Sequence, residues 1–129
     1  MAAFTQREVD YLTSQPLMRF ASASPTGRPD VAAVAFSVDG DDIVTAGFDI
    51  AKTVRYRNVE ANPRAAVVID DLAALEPWTP RGIKVRGRVR IEGDASGQRF
   101  RITPEVIWSW GVNDPAPGIP TIERRDVAS

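Results

Sequence analysis

The chain contains no histidine and no cysteine. That excludes disulfide bonds, the usual zinc and haem ligand sets, and nucleophilic catalysis by Ser-His-Asp or Cys-His groupings, so no metal site is expected. Lysine is scarce too. Of 16 basic residues only Lys52 and Lys84 are lysine, leaving 14 arginines, whose planar fork suits carboxylate or phosphate. An excess of one charge is also missing: 17 acidic residues against 16 basic give a net charge of −1, so no global field draws nucleic acid or an anionic membrane to the chain. No apolar run approaches the roughly 18 residues of a membrane span, and the opening MAAFTQREVD does not read as a signal peptide. The expected location is cytoplasmic, with neither nucleic acid nor membrane as partner.

What is present is 129 residues, 43% hydrophobic and 26% charged, enough for one domain that buries roughly two thirds of its unfolded surface. Residues 5–14 place Val9 and Leu12 at helical spacing before Pro16, which predicts a short opening helix. Leu17–Ser22 reads as a strand, PTGR as a turn, and Asp30–Val38 as a strand whose unbroken apolar run implies burial on both faces. Asp39-Gly40 predicts a hairpin into Asp42–Gly47. The segment DIAKTVRYRNVEAN predicts a crossover helix over residues 49–62, with Asp49 as N-cap, Val54, Asn58 and Ala61 on one stripe, and Pro63 closing it. Ala65–Asp70 and Ile83–Glu92 follow as strands, then a turn over residues 93–97, then a strand pair, Phe100–Thr103 and Val106–Trp110, bent at Pro104. Residues 111–129 lack a core-forming period and read as an extended tail. Six to seven antiparallel strands with two short helices are most economically closed into a small barrel.

Two stretches offer chemistry. In the first, Gly47-Phe48-Asp49-Ile50-Ala51-Lys52-Thr53, a glycine ends a strand and a helix start follows with free N–H groups, a lysine and a hydroxyl, a workable phosphate seat. Arg55 lies one helical turn from Lys52 and can converge on the same anion; a capped helix with a solvated lysine explains the residues equally. In the second, Pro77 and Pro80 stiffen a turn presenting Trp78 and Arg81, while Gly82 admits a close approach to the backbone, as a planar, partly charged ring requires. Trp78 can equally plug a barrel end or meet a second subunit. Lys84, Arg86, Arg88 and Arg90 then form a ladder on one strand face, read as a solvated or ion-paired surface with Glu92, Asp94, Asp70, Asp71 and Glu105 at hand. Trp108 and Trp110 share one side of their strand, which suggests core or dimer interface. As stacking platforms they would serve an oligonucleotide-binding barrel, which the net charge disfavours.

In the order of its elements, the chain resembles the split β-barrel superfamily of pyridoxamine 5′-phosphate oxidase-like, flavin- or deazaflavin-binding proteins. The resemblance rests on VAAVAFSVDG, DDIVTAGF, AKTVRYRNVEANPRAAVVID and RGIKVRGRVRI and spans about residues 4–110. VIDDLAALEPWTPRGIKVRG with RITPEVIWSWG resembles a subgroup usually labelled coenzyme F420-dependent. The resemblance implies a split barrel of the FMN-binding type and a homodimer with the cofactor at its interface. It implies a phosphate near Lys52, Thr53, Ala51, Gly47 and Arg55, and a ring against the second strand near Val34 and against a partner, close to Trp78, Arg81 and Gly82. Ala51, Phe36 and Gly82 stand where FMN oxidases of the group carry arginine, a basic residue and glutamine. These departures favour F420 over FMN, and a hydride transfer to an electron-poor small molecule; an FMN-binding protein or a non-catalytic carrier is the alternative. With no histidine, Tyr11, Tyr56, hydroxyls, carboxylates and water remain as proton donors, and no catalytic residue is assigned.

Overall fold

A computed structural model describes residues 2–94 and 96–127. Ala95, in the turn expected over residues 93–97, and residues 128–129 of the tail lie outside the described residues. Helix α1 is Gln6–Thr13. Thr5 Oγ1 accepts the Glu8 N–H at 3.1 Å, and the Glu8 carboxylate accepts the Thr5 N–H at 2.9 Å, a reciprocal cap that satisfies two otherwise unpaired donors. Eight strands follow: β1 (Leu17–Ala23), β2 (Pro29–Ala35), β3 (Ser37–Asp39), β4 (Asp42–Ala46), β5 (Arg64–Ala74), β6 (Thr79–Asp94), β7 (Gly97–Trp110) and β8 (Ile122–Asp126), with helix α2 (Val54–Ala61) between β4 and β5.

Every pairing is antiparallel, and the order is β2-β1-β5-β6-β7-β4-β3, with β8 beside β7. The end strands β2 and β3 are joined in sequence by Phe36 alone, so the sheet curls back on itself. Thr45 Oγ1 of β4 donates to the Ala35 carbonyl of β2 at 2.7 Å, but no ladder joins β2 to β4 among the described residues, and there the barrel is split. Met18, Phe20, Ile69, Ile83 and Phe100 are fully buried inside it, with the Phe20 and Phe100 rings 5.4 Å apart. Arg101 of β7 binds Asp39, Asp42 and Glu92 at 2.8, 3.1 and 3.0 Å, fastening β3, β4 and β6 together. No helix of the described residues is long and apolar enough to cross a membrane.

The fold is the expected mainly-β split barrel with two short helices, but several elements differ from the sequence reading. The apolar run Asp30–Val38 breaks at Phe36 and is not buried on both sides. β2 is an edge strand in which Val31, Ala33 and Ala35 are exposed while Ala32 and Val34 are half-buried. The expected pair Phe100–Thr103 and Val106–Trp110 is one strand. Gly87 faces Pro104 and Arg86 faces Val106, leaving Glu105 as the extra residue of a bulge, a position where proline is tolerated. A Cβ on Gly87 would stand 2.3 Å from the Thr103 carbonyl oxygen, so the bulge requires glycine. Within the expected tail, Ile122–Asp126 pairs with Val106–Trp110 as β8; Arg125 carries it to Glu8, whose side chain is fully buried.

Candidate functional site

Asp49 does not cap a helix over residues 49–62. It takes a left-handed backbone (φ 53°), and a single 3-10 turn, Ile50–Lys52, intervenes before Thr53 caps α2. Thr53 Oγ1 accepts the Tyr56 N–H at 3.2 Å and donates to the Ile50 carbonyl at 2.6 Å, so this hydroxyl is used within the chain. The buried residues of α2 are Asn58 and Val59, and Val54 is exposed; Asn58 Nδ2 donates to Ser22 Oγ at 3.0 Å, fixing the helix to β1.

Lys52 therefore precedes the helix and stands 82% exposed, with an Asp49 carboxylate oxygen 3.9 Å away. An exposed pair of this length is weak, so the ammonium remains available to an anion. Arg55 turns back onto the end of β4. Its Nη2 lies 3.4 Å from where a Gly47 Cβ would stand, and its Nε is buried without a hydrogen-bond partner. A buried, unpaired N–H of a cation is costly, and the side-chain-free Gly47 lets the guanidinium and Ile50 pack close against the end of β4. A cavity of about 320 Å³ opens beside Gly47, Asp49 and Ala51. Val34 turns towards the core cluster, while its neighbour Ala35 is tied to Thr45, two residues before Gly47. Gly47, Ala51, Lys52, Thr53 and Arg55 thus come together, and the C-terminal end of β2 adjoins them. Lys52 and Arg55 stand outside the lining of the cavity itself, which Asp49 and Asp94 share.

Trp78, Arg81 and Gly82 lie at the opposite end of the barrel. Ala46 pairs with Arg99 of β7, whereas Gly82 pairs with Trp110; eleven residues of strand at about 3.3 Å each separate the two groups by roughly 30–35 Å. Trp78 is 56% exposed in the turn between β5 and β6, its carbonyl accepting the Gly118 N–H at 2.7 Å. Arg81 is committed to Asp71, with Nε and Nη2 at 2.7 and 2.9 Å and its guanidinium 5.0 Å from the centre of the Tyr11 ring. The hydrogen bond from Arg81 holds the Asp71 carboxyl below its usual range. Burial and the hydrogen bond to Asp71 push the Tyr11 phenol far above its usual value, so it holds its proton. The group that approaches Gly82 is Trp110, whose Cζ2 would lie 2.4 Å from an added Cβ.

The cationic ladder faces outward. Arg88 and Arg90 are near Glu105 and Glu92 at 3.6 and 3.9 Å, whereas Lys84 and Arg86 lie over the Trp108 ring at 4.2 and 5.0 Å. Trp108 and Trp110 are not core residues; Ile107 and Ser109 alternate inward instead. Strand register arranges the outer face in rows. One runs Ala33, Arg19, Val68, Lys84, Trp108, Arg124, and the next Val31, Ala21, Ala66, Arg86, Val106, Asp126. Apart from Arg19, apolar residues on β2, β1 and β5 give way to cations on β6 and indoles on β7, and a cavity of about 630 Å³ opens where Ala21, Ala66 and Arg86 meet. The sequence reading missed this plate, although alanine at alternate positions of β2 was its signal.

Residues 4–111 match the family model for pyridoxamine 5′-phosphate oxidase. A 5a,11a-dehydrotetracycline/5a,11a-dehydrooxytetracycline reductase of Streptomyces rimosus is 30% identical, over 98% of this chain and 94% of its own. Among solved structures, a conserved hypothetical protein from Mycobacterium tuberculosis aligns with a TM-score of 0.71 at 17% identity, covering 92% of this chain and 93% of that one. An F420 reductase aligns with a TM-score of 0.61 at 23% identity, covering 76% and 94%. These two likenesses are of fold. With a split barrel, a cationic turn at the end of β4 and a near full-length sequence match all in agreement, the chain belongs to the pyridoxamine 5′-phosphate oxidase family.

Proposed function

We propose that this chain is a coenzyme F420-dependent reductase that acts as a homodimer and delivers a hydride to an electron-poor small molecule. The observation that carries the reading is the Arg55 guanidinium, its Nε unpaired, turned onto side-chain-free Gly47, with the exposed ammonium of Lys52 three residues earlier in the chain. Lys52 and Arg55 hold the phosphate, and Ala51 leaves the turn uncrowded. When bound, the deazaflavin supplies a hydride from its C5. The chain orients the two reactants and excludes water, with exposed Val31, Ala33 and Ala35 offering a flat wall. Reduction as the reaction is supported by the dehydrotetracycline reductase relative.

The dimer is supported by the apolar plate on β1, β2 and β5, which provides a surface on which copies can meet, and by Trp78, exposed at the far end of the barrel. FMN is the second reading of the same seat, because it too carries a phosphate on a ribityl chain. Titration with F420 and with FMN, followed by cofactor fluorescence, tests both. Micromolar or tighter binding of F420 and its oxidation with an enone or quinone support the reductase, and binding of neither cofactor refutes it. Tight binding without turnover across quinones, enones and tetrapyrroles instead identifies a non-catalytic carrier.

A further inference from the structure

The outer face carries a second concavity that the phosphate seat does not use. It has a volume of about 420 Å³ and opens between Trp108, Trp110, Pro120 and Ile122, with Lys84 at its rim. Both indoles are held in place before any ligand arrives. Trp110 is packed against Gly82, and Trp108 has Lys84 Nζ 4.2 Å, Arg86 5.0 Å and Arg124 5.8 Å from its ring centre. Each cation is drawn to the ring, but together they repel one another. Arg124 is neutralised by Asp126 at 3.1 Å. Lys84 and Arg86 have no carboxylate within 4 Å among the described residues.

Two indoles with a proline and an isoleucine make walls for a flat conjugated molecule, and Lys84, a cation at the rim without a carboxylate partner, calls for negative charge on its edge. Ile122, 62% exposed, leaves the entrance open and apolar. We propose that this cavity binds a planar conjugated acid of two or more fused rings, an enolate conjugated to a carbonyl, and that this is the acceptor class of the reductase; only the second statement rests on the reading above. In turnover, hydride from the reduced deazaflavin reaches an electron-poor carbon of the conjugated double bond. The π pair moves to the conjugated oxygen, which takes one proton from water, and the deazaflavin, oxidised by loss of the hydride, returns its ring N–H proton to water. Because the cavity sits at the Trp110 end of β7, roughly 30 Å from Lys52, it serves the seat of a second copy.

Calorimetric titration of the cofactor-free protein with 2-hydroxy-1,4-naphthoquinone, an anion at neutral pH, and with its uncharged methyl ether tests the site. The anion should bind at least about tenfold tighter than the ether, the scale of one charge-assisted contact. Lys84→Met should abolish that preference without changing the affinity for the ether, and Ile122→Asp should weaken both ligands, with the melting temperature unchanged in each variant. Equal affinities, or a preference that survives Lys84→Met, overturn the proposal. So does binding that strengthens as the protein is diluted through subunit dissociation, because the cavity is then a subunit contact. A chain that binds the anion but neither F420 nor FMN refutes the reductase and leaves the cavity assigned.

Discussion

Replacing Arg125 by methionine isolates what holds β8 to the barrel. The Glu8 side chain is fully buried; its oxygens accept from Arg125 Nη2 at 2.5 Å, Asn113 Nδ2 at 2.7 Å and the Thr5 N–H at 2.9 Å. Burial pushes this carboxyl up, but Arg125, the Thr5 N–H and Asn113 outweigh it and leave the group below its ordinary 4.5. Arg125→Met strands the carboxylate inside with two neutral donors. Truncating one partner of a buried pair costs about 3–5 kcal/mol, and because Arg125 keeps 35% of its side chain in water the expected loss is lower, about 2–3 kcal/mol at neutral pH. The pH dependence identifies the cause. In the natural chain the depressed group contributes stability that is complete above the unfolded value and lost as pH falls through the folded one. In the variant, burial dominates and raises the carboxyl, so the protonated form is favoured and the deficit is greatest near pH 7, shrinking as pH falls to about 5. Urea unfolding followed by tryptophan fluorescence at both pH values measures this. The double variant Glu8→Gln/Arg125→Met, with no charge to strand, should recover about 1 kcal/mol or more. A loss under about 0.5 kcal/mol at pH 7, within the range of an ordinary surface change, or an equal loss at both pH values, refutes the reasoning.

Gly87→Ala drives a methyl group into the Thr103 carbonyl and should cost about 1–3 kcal/mol; an unchanged thermal midpoint would show that the bulge relaxes freely. Lys52→Ala should weaken binding of F420 or FMN by about 1–3 kcal/mol without altering the melting temperature, since the side chain packs against nothing. Unaltered affinity removes Lys52 from the phosphate seat. Asp71, held low by Arg81, contributes stability that is lost as pH falls below its unfolded value near 3.8. Asp71→Asn should therefore be less stable at neutral pH and lose less between pH 5 and pH 3. Parallel acid limbs in the two proteins would contradict that role.

Strict alternation in Ile83–Ile91 made β6 legible, and the helical spacing of Val9 and Leu12 before Pro16 marked α1, because both patterns depend only on residues close in sequence. β8 was hidden because Arg124, Arg125 and Asp126 carry no apolar alternation; the strand is held by its ladder to β7 and by a salt bridge to Glu8, 117 residues away. The start of α2 was misread because Asp49 and Thr53 are both acceptable caps, and only the left-handed turn at Asp49 decides between them. Lys52 and Gly47 could be picked out as neighbours in sequence. That Gly82 is filled by Trp110 and Arg81 by Asp71 could not, because both are cross-strand contacts whose register no local pattern encodes.

β7 has one long edge covered in relay: β4 pairs with Arg99–Ile102, and β8 takes over at Val106–Trp110, on either side of the bulge. A chain cut after Pro120 would bare five residues of that edge, with their N–H and C=O groups aimed outward beside two indoles. Such an edge templates a strand from any neighbouring chain. The last strand therefore shields this stretch of edge from other chains, as well as walling a cavity.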